Sequence, residues 1–177
     1  MSCSDGRRRF LALAAGAPLL LGSCGFEPLY GKHSMGAVDA DLARIRIAVI
    51  PDRIGQQVHN YLLDRINRKG PPASPRHRLD VKLSSETVVL GIERDETATR
   101  AKLVIRADFE LTDLATGAVV LHRETRSANS YNIVDSALAT RSAELDAIDR
   151  AARELAEEIR LILALYFRRR AAEGGDT

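Results

Sequence analysis

The sequence is poor in the residues that build redox, metal and nucleophilic centres. Cysteine occurs twice and histidine four times in 177 residues, whereas a metal or acid–base site needs several such side chains to converge. The chain also has no H-E-x-x-H, G-x-S-x-G or S-x-x-K signature and no glycine-rich loop that could cradle a phosphate. The histidines stand singly, as surface histidines do: His33, His59, His77 and His122. We therefore predict that the protein is not an enzyme and holds neither a metal nor a cofactor.

The chain has no large excess of one charge sign. Lysine and arginine total 26, aspartate and glutamate total 24, and the formal net charge is +2. Residues 7–9 are all arginine, and without residues 1–23 the chain would carry 23 basic and 23 acidic residues. Because a nucleic-acid-binding protein usually shows a basic patch, we expect no nucleic-acid partner. With 45% hydrophobic residues, the chain can instead bury one ordinary core.

Long apolar runs are missing too, and the apolar run near the N-terminus is too short to cross a bilayer. Residues 10–21 are predominantly apolar and would cover about 18 Å as a helix, against about 30 Å of hydrocarbon. A basic segment followed by a short apolar one is typical of an export signal. This one ends in Leu21-Gly22-Ser23-Cys24, the pattern of a bacterial lipobox. We therefore predict a lipoprotein signal peptide over residues 1–23 and lipid attachment at Cys24.

Lipidation of Cys24 would determine both the anchor and the destination. Each buried CH₂ is worth about 0.8 kcal/mol, so several acyl chains, palmitate among them, would attach the protein permanently to a membrane. Gly25, rather than an aspartate, follows the cysteine. By the usual bacterial sorting rule this favours the periplasmic side of the outer membrane. Two alternatives stay open: cleavage within the small residues 14–17, and export by the twin-arginine route, which R-R-x-F-L at 7–11 matches, instead of general secretion.

The periodicity of the apolar residues predicts a single α+β domain over residues 43–170. Alternation with period two indicates strands, and an apolar residue every three or four positions indicates helices. The predicted elements are a strand at 43–50, a helix at 53–69 capped by Asp52, strands at 79–90, 98–112 and 118–127, and a helix at 140–170. The order βαβββα predicts a four-stranded mixed sheet with two helices packed on one face. Residues 24–42 are expected to be the lipidated N-terminus and tether, and residues 171–177 a disordered tail.

Stretches at both ends of the mature chain resemble a known family. Residues 24–31 read Cys-Gly-Phe-Glu-Pro-Leu-Tyr-Gly, and residues 130–136 read Ser-Tyr-Asn-Ile-Val-Asp-Ser, with further similar segments at 151–156 and 163–167. In these segments the chain resembles the LPS-assembly lipoprotein family, the small outer-membrane partners of the β-barrel that inserts lipopolysaccharide into the outer leaflet.

The resemblance implies a function as well as a location. A member of this family would be a non-enzymatic lipoprotein that plugs the translocon barrel, aids its assembly and binds lipopolysaccharide. The residues alone leave two other classes open. One is a periplasmic-facing lipoprotein chaperone or adaptor of another envelope secretion system, and the other is a lipid-anchored hydrolase with an unusual site.

Three cations on the third predicted strand are candidates for lipopolysaccharide binding. Arg100, Lys102 and Arg106 share parity and therefore point to the same side of the sheet. Guanidinium and ammonium groups make charge-assisted hydrogen bonds to phosphate oxygens such as those of lipid A. An ordinary half-exposed strand would show the same pattern, and Asp108 and Glu110 continue the row and partly neutralise it.

The end of the last predicted helix is a candidate for contact with the barrel. Residues 161–167 are apolar on all sides of the helix, and a sheet can shelter only one side. Leu161 and Leu165 are therefore candidates for contact with a barrel wall. Burial of this segment by the tether or by a loop is the alternative.

Overall fold

A computed structural model describes residues 32–90 and 99–174, and all of these except Lys32 belong to one compact unit, His33–Thr177. The elements in chain order are α1 (Lys32–Leu42), β1 (Ile45–Ile47), α2 (Asp52–Ile66), β2 (His77–Leu90), β3 (Thr99–Asp113), β4 (Val119–Ile133) and α3 (Ala137–Gly174). Among the described residues, no helix has both the length and the apolar character needed to span a membrane.

The four strands form one mixed sheet in the order β1-β2-β3-β4. β1 runs parallel to β2 over three residues, whereas β2 with β3 and β3 with β4 are antiparallel over nearly their whole lengths. A parallel pair requires a crossover connection, and α2 lies in the connection between β1 and β2. The predicted α+β class and mixed four-stranded sheet are confirmed.

The hydrophobic core lies between the sheet and the helices α2 and α3. Along β3 the odd-numbered side chains from 101 to 113 are buried and the even-numbered ones are not, as the predicted alternation requires. α3 packs against β4 and β3, and α2 packs against α3 and β1. Small residues on the buried side of α3 let the helix approach the core closely: Ala147, Ala151, Ala152 and Ala156.

α1 occupies a stretch that the sequence assigns to the tether. Its last residue, Leu42, is 3% exposed and belongs to the core, and Val38 packs against the same core. These two residues are spaced i, i+4, which puts them on one side of a helix, but a single pair is too weak a pattern to predict one. The remainder of the predicted tether, the predicted signal peptide at 1–23 and Cys24 lie outside the described residues.

β1 is shorter than the predicted strand at 43–50. After Ile47, the backbone N–H of Ala48 still donates to the carbonyl of Leu79 at 2.9 Å. The predicted alternation then breaks, because Val49 is 86% exposed while Ile50 is buried. Ile50, rather than Val49, therefore points into the core where the chain turns towards α2.

α2 begins and ends differently from the predicted helix at 53–69. The predicted cap at Asp52 is wrong: Pro51 holds the N-cap position, no side chain caps the helix, and Asp52 has a φ of 68°. The helix ends at Ile66, and the next residue, Asn67, forms a hydrogen bond to β1. The side-chain amide of Asn67 donates to the carbonyl of Ile45 at 3.2 Å, and this hydrogen bond is buried.

β4 and α3 are both longer than predicted. β4 continues past residue 127 because it pairs with β3 along the whole of that strand, up to Ile133 opposite Thr99. α3 begins at Ala137 and runs to Gly174. Residues 171–174 of the predicted disordered tail are therefore helical, while residues 175–177 lie outside the described part of the chain.

Candidate functional site: the open face of the sheet

The even-numbered side chains of β3 lie on the face of the sheet opposite α2 and α3. Arg100, Lys102 and Arg106 are all exposed there, and Arg126 of β4 lies directly opposite Arg106. Among the described residues, only Arg106 of these four forms an ion pair, with 3.9 Å between its Nη1 and Oε1 of Glu124. An exposed pair at this distance stabilises little. The four cations, named here the cationic patch, are thus open to an anionic ligand.

Strand register places aliphatic side chains beside the cations. Lys102 lies opposite Val88, and Arg100 lies opposite Leu90 on β2. Directly opposite residues share a face of the sheet, and Val88 and Leu90 are 40% and 45% exposed. The face therefore offers positive charge and apolar surface together, which suits an amphiphilic anion. The sequence of β3 alone does not predict that Arg126 and the two aliphatic residues belong to this face, because the pairing register depends on the neighbouring strands.

The same face becomes acidic towards the other end of β3. Asp108 and Glu110 continue the row, and Glu124 of β4 lies opposite Asp108. His122 lies opposite Glu110, and its Nε2 is 3.1 and 3.3 Å from the two carboxylate oxygens of Asp108. Along β3 the cations therefore precede the carboxylates, but the neighbouring strand β2 mixes the charges, because Glu86 lies opposite Val104 and Lys82 lies opposite Asp108.

Polar contacts attach α3 to the inner face of β4. Glu154 accepts hydrogen bonds from the hydroxyl of Ser127 and from the side-chain amide of Asn129, the latter at 3.0 Å. The amide of Asn129 also donates to the Ser127 hydroxyl oxygen at 2.8 Å. These hydrogen bonds satisfy polar groups on the inner side of β4, whose outer side carries Arg126. They fix β4 against α3.

A second network of polar contacts joins α2 to α3. The hydroxyl of Tyr61 donates to Asp149 and accepts from Nε of Arg153 at 3.1 Å. The guanidinium groups of Arg65 and Arg153 lie 5.5 and 5.4 Å from the centroid of the Tyr61 ring, within range of cation–π attraction. Arg65 also pairs with Glu157 at 3.0 Å. The hydrogen bond from Arg160, more than that from Arg65, lowers the pKa of the Glu157 carboxyl below its ordinary value despite partial burial.

α3 exposes Leu161 and Leu165 on the helical layer, away from the cationic patch. They are 36% and 39% exposed, whereas Leu163 and Phe167 between and after them are buried. In the part of the chain that the structure describes, no loop covers the two leucines. The segment that is apolar on all sides therefore has one side in the core and another at the surface.

One of the predicted surface histidines, His77, is instead buried. It is 3% exposed, its ring packs edge-on against Phe167 at 5.2 Å, and its Nε2 lies 4.0 Å from Oδ2 of Asp113. Burial lowers the pKa of His77, although the charge of Asp113 acts in the opposite direction. The backbone N–H of Ala115 donates to Asp113 at 2.8 Å and is the main reason that the pKa of this carboxyl is also lowered. The alternation of β2 could have predicted this burial, because His77 is odd-numbered like the buried Leu79 and Val81.

The chain matches one protein family and is similar to a bacterial protein. The family model described as "LptE: Lipopolysaccharide-assembly" matches residues 42–161. An uncharacterised protein of Rickettsia prowazekii (strain Madrid E) is 26% identical over 152 residues, which cover 85% of this chain and 93% of that protein.

Solved structures share the fold. A Caulobacter crescentus CB15 protein described as a lipoprotein superposes with a TM-score of 0.58 at 28% identity, covering 73% of this chain and 94% of that one. Rare lipoprotein B from Shewanella oneidensis superposes with a TM-score of 0.53 at 12% identity, covering 68% of this chain and 92% of that one. The second likeness concerns the fold alone.

Proposed function

The chain belongs to the lipopolysaccharide-assembly family, and on this premise we propose that it is an outer-membrane lipoprotein that partners and plugs the lipopolysaccharide translocon barrel. In this role it aids assembly of the barrel and insertion of lipopolysaccharide into the outer leaflet, without catalysing a reaction itself. The observation that carries the proposal is the family match, which runs from the end of α1 through the whole sheet and most of α3.

We propose that the cationic patch binds the phosphates of lipid A. The guanidinium groups of Arg100, Arg106 and Arg126 and the ammonium group of Lys102 would donate charge-assisted hydrogen bonds to the phosphate oxygens. The exposed Val88 and Leu90 beside them would contact the first carbons of the acyl chains. Support for this assignment comes from the combination of charge and apolar surface on one face. A free phosphate would use only the charge.

Reversal of charge within the patch tests this binding site. The double variant Arg100→Asp/Arg106→Asp removes two donors, and each charge-assisted hydrogen bond contributes about 1.5–3 kcal/mol. We therefore expect the affinity of the full chain for lipopolysaccharide, measured by calorimetry in detergent, to fall about 100-fold or more.

The matched control changes the net charge by the same amount elsewhere. Arg53→Asp/Arg68→Asp alters two exposed arginines, one in the first turn of α2 and one two residues beyond its end, and lipopolysaccharide affinity should stay within about threefold of that of the unaltered chain. Equal affinities of the two double variants for lipopolysaccharide would show that the cationic patch is not the binding site.

We propose further that Cys24 carries the lipid anchor. Mass spectrometry of the protein isolated from envelopes should find an N-terminal acylated cysteine and no residues 1–23. An unmodified Cys24 sulfur, or a chain that still begins at Met1, would contradict this anchor. The variant Cys24→Ala should leave the outer-membrane fraction.

A further inference from the structure

The acidic end of the open face contains three side chains of the types that coordinate metal ions. Asp108, Glu110 and His122 each offer one donor atom, and the three atoms all lie within 4.8 Å of one another. Asp108 and Glu110 are spaced i, i+2 on β3, and His122 is the direct cross-strand neighbour of Glu110 on β4. Residues in these positions share a face, so the sheet itself brings the three donors together.

Nε2 of His122 and the carboxylate of Asp108 lie within hydrogen-bonding distance of each other, and an ion bound between them would replace this hydrogen bond. Zinc bonds of about 2.0–2.2 Å to nitrogen and oxygen place the donor atoms of a tetrahedral site about 3.3 Å apart. Nε2 of His122 lies 3.1 and 3.3 Å from the carboxylate oxygens of Asp108. Glu110 has the longest side chain of the three, and rotation of its terminal torsions would complete the third contact without moving the backbone.

Charge and exposure at the cluster are suited to a cation. The three side chains line a shallow depression of ≈ 520 Å³ together with Lys82, Arg106 and Glu124. Arg106 is directed to Glu124. Lys82 lies opposite Asp108 on β2, but among the described residues neither Asp108 nor Glu110 forms an ion pair with a lysine or an arginine. The side chains of His122 and Asp108 are 58% and 48% exposed, which leaves the outer coordination positions to water.

We propose that Asp108, Glu110 and His122 form a binding site for one divalent first-row transition-metal ion, with Zn²⁺ as its natural probe. The site goes beyond the proposed function and does not depend on it, and it departs from the sequence-based prediction that the protein holds no metal. An imidazole nitrogen selects such ions over Ca²⁺ and Mg²⁺, which prefer oxygen ligands throughout. Three protein ligands on one face of a sheet leave a coordination position that a water molecule or an anionic ligand occupies.

Titration of the full chain, purified in detergent, with Zn²⁺ tests the site by isothermal calorimetry. We expect one ion to bind per chain. The variants Glu110→Gln and His122→Gln keep the size of the side chain but lose a donor, and affinity should fall at least about tenfold in each, since loss of even an outer partner of a metal ligand costs that much.

The matched control is Glu86→Gln, which removes the same charge from an exposed position on the same face, opposite Val104, but leaves all three donors in place. Its affinity for Zn²⁺ should remain within about threefold of the unaltered chain. Circular dichroism verifies that each variant is folded, which is expected for exposed positions. Zn²⁺ should raise the thermal midpoint of the unaltered chain and of Glu86→Gln, but not that of His122→Gln.

Three results would overturn the proposal. The first is failure of the unaltered chain to bind Zn²⁺. The second is undiminished binding by Glu110→Gln and His122→Gln. The third is displacement of Zn²⁺ by Ca²⁺ at comparable concentration, which would assign the acidic end of the face to nonspecific attraction of cations.

Discussion

Gly55, on the buried side of α2, lies against the last residue of the turn that follows β1. A Cβ atom at this position would come 2.8 Å from Cγ2 of Ile50 and 2.9 Å from its backbone carbonyl. Backbone cannot move aside as a flexible side chain can, so this approach requires glycine. Helix α2 can thus pack closely on the chain that enters it only because residue 55 has no side chain.

The variant Gly55→Ala should therefore destabilise the protein in spite of alanine's higher helix propensity. Overpacking of this kind costs about 1–3 kcal/mol, and the loss should appear as a lower free energy of unfolding in urea. Gly36→Ala in α1 is the matched exchange, because no atom lies within 4 Å of the added Cβ. It should not lower stability. Equal stability of Gly55→Ala and the unaltered chain would contradict the close approach.

His77 makes stability depend on pH. Burial lowers its pKa below 6.5, the charges of Arg76 and Arg170 lower it further, and those of Asp113 and Asp41 raise it. As the pH falls below 6.5, the unfolded chain therefore binds a proton that the folded chain does not yet accept. The contribution of the neutral, buried imidazole to stability is complete above pH 6.5 and decreases towards the lower pKa of the folded state.

Urea unfolding between about pH 7.5 and about pH 5.5 measures this dependence. The variant His77→Gln should show a smaller decrease in the free energy of unfolding over this range than the unaltered chain. His59→Gln, which alters a half-buried histidine of α2, serves as the control and should retain the decrease. If the free energy of unfolding of His77→Gln decreased as much as that of the unaltered chain, His77 would bind its proton equally well in the folded and unfolded states. That result would contradict the pH dependence proposed for His77.

At the scale of the element, α3 has one side in the core and exposes apolar side chains on another. Leu161 and Leu165 are one turn apart and face outwards together. If they contact the barrel, a photocrosslinking residue at either position should capture the barrel in intact cells. Leu138, at the other end of the same helix, is 81% exposed and provides the control position. Crosslinks from Leu138 but not from the two leucines would refute the proposed contact.

β3 and α3 differ in how well their buried sides could be predicted. The alternation of β3 fixes its buried and exposed faces directly, because the period of a strand is two. Apolar residues spaced three and four apart along α3 would put Ile162 and Tyr166 on the buried side, yet Leu163 and Phe167 are the buried pair. A helix has 3.6 residues per turn, so a stripe with period 3.5 drifts by about 20° per heptad and leaves the buried side over this length.

Contacts between elements could not be predicted from local pattern. Arg126 joins the cationic patch, and Val88 and Leu90 flank it, only through the register of β3 with its two neighbours. The early end of α2 depends on a hydrogen bond from Asn67 to β1. The triad of Asp108, Glu110 and His122 likewise appears only when β4 is placed beside β3. Sequence reasoning thus found one strand of the site and missed its neighbours.

At the scale of the whole molecule, the sheet and the helical layer present different chemistry. The open face of the sheet carries a cationic end and an acidic end, while the helical layer exposes the leucines at 161 and 165. In the proposed function, one of these surfaces would contact the anionic amphiphile and the other the wall of the barrel. Separate contact surfaces on one domain are consistent with the proposed place inside a wide barrel.

Affinity purification of the lipidated chain from detergent-solubilised outer membranes tests the central claim most directly. Mass spectrometry should identify the β-barrel of the lipopolysaccharide translocon as the main partner, in an amount comparable to the chain itself. Recovery of the chain without this barrel, or with components of another envelope secretion system instead, would contradict the assignment.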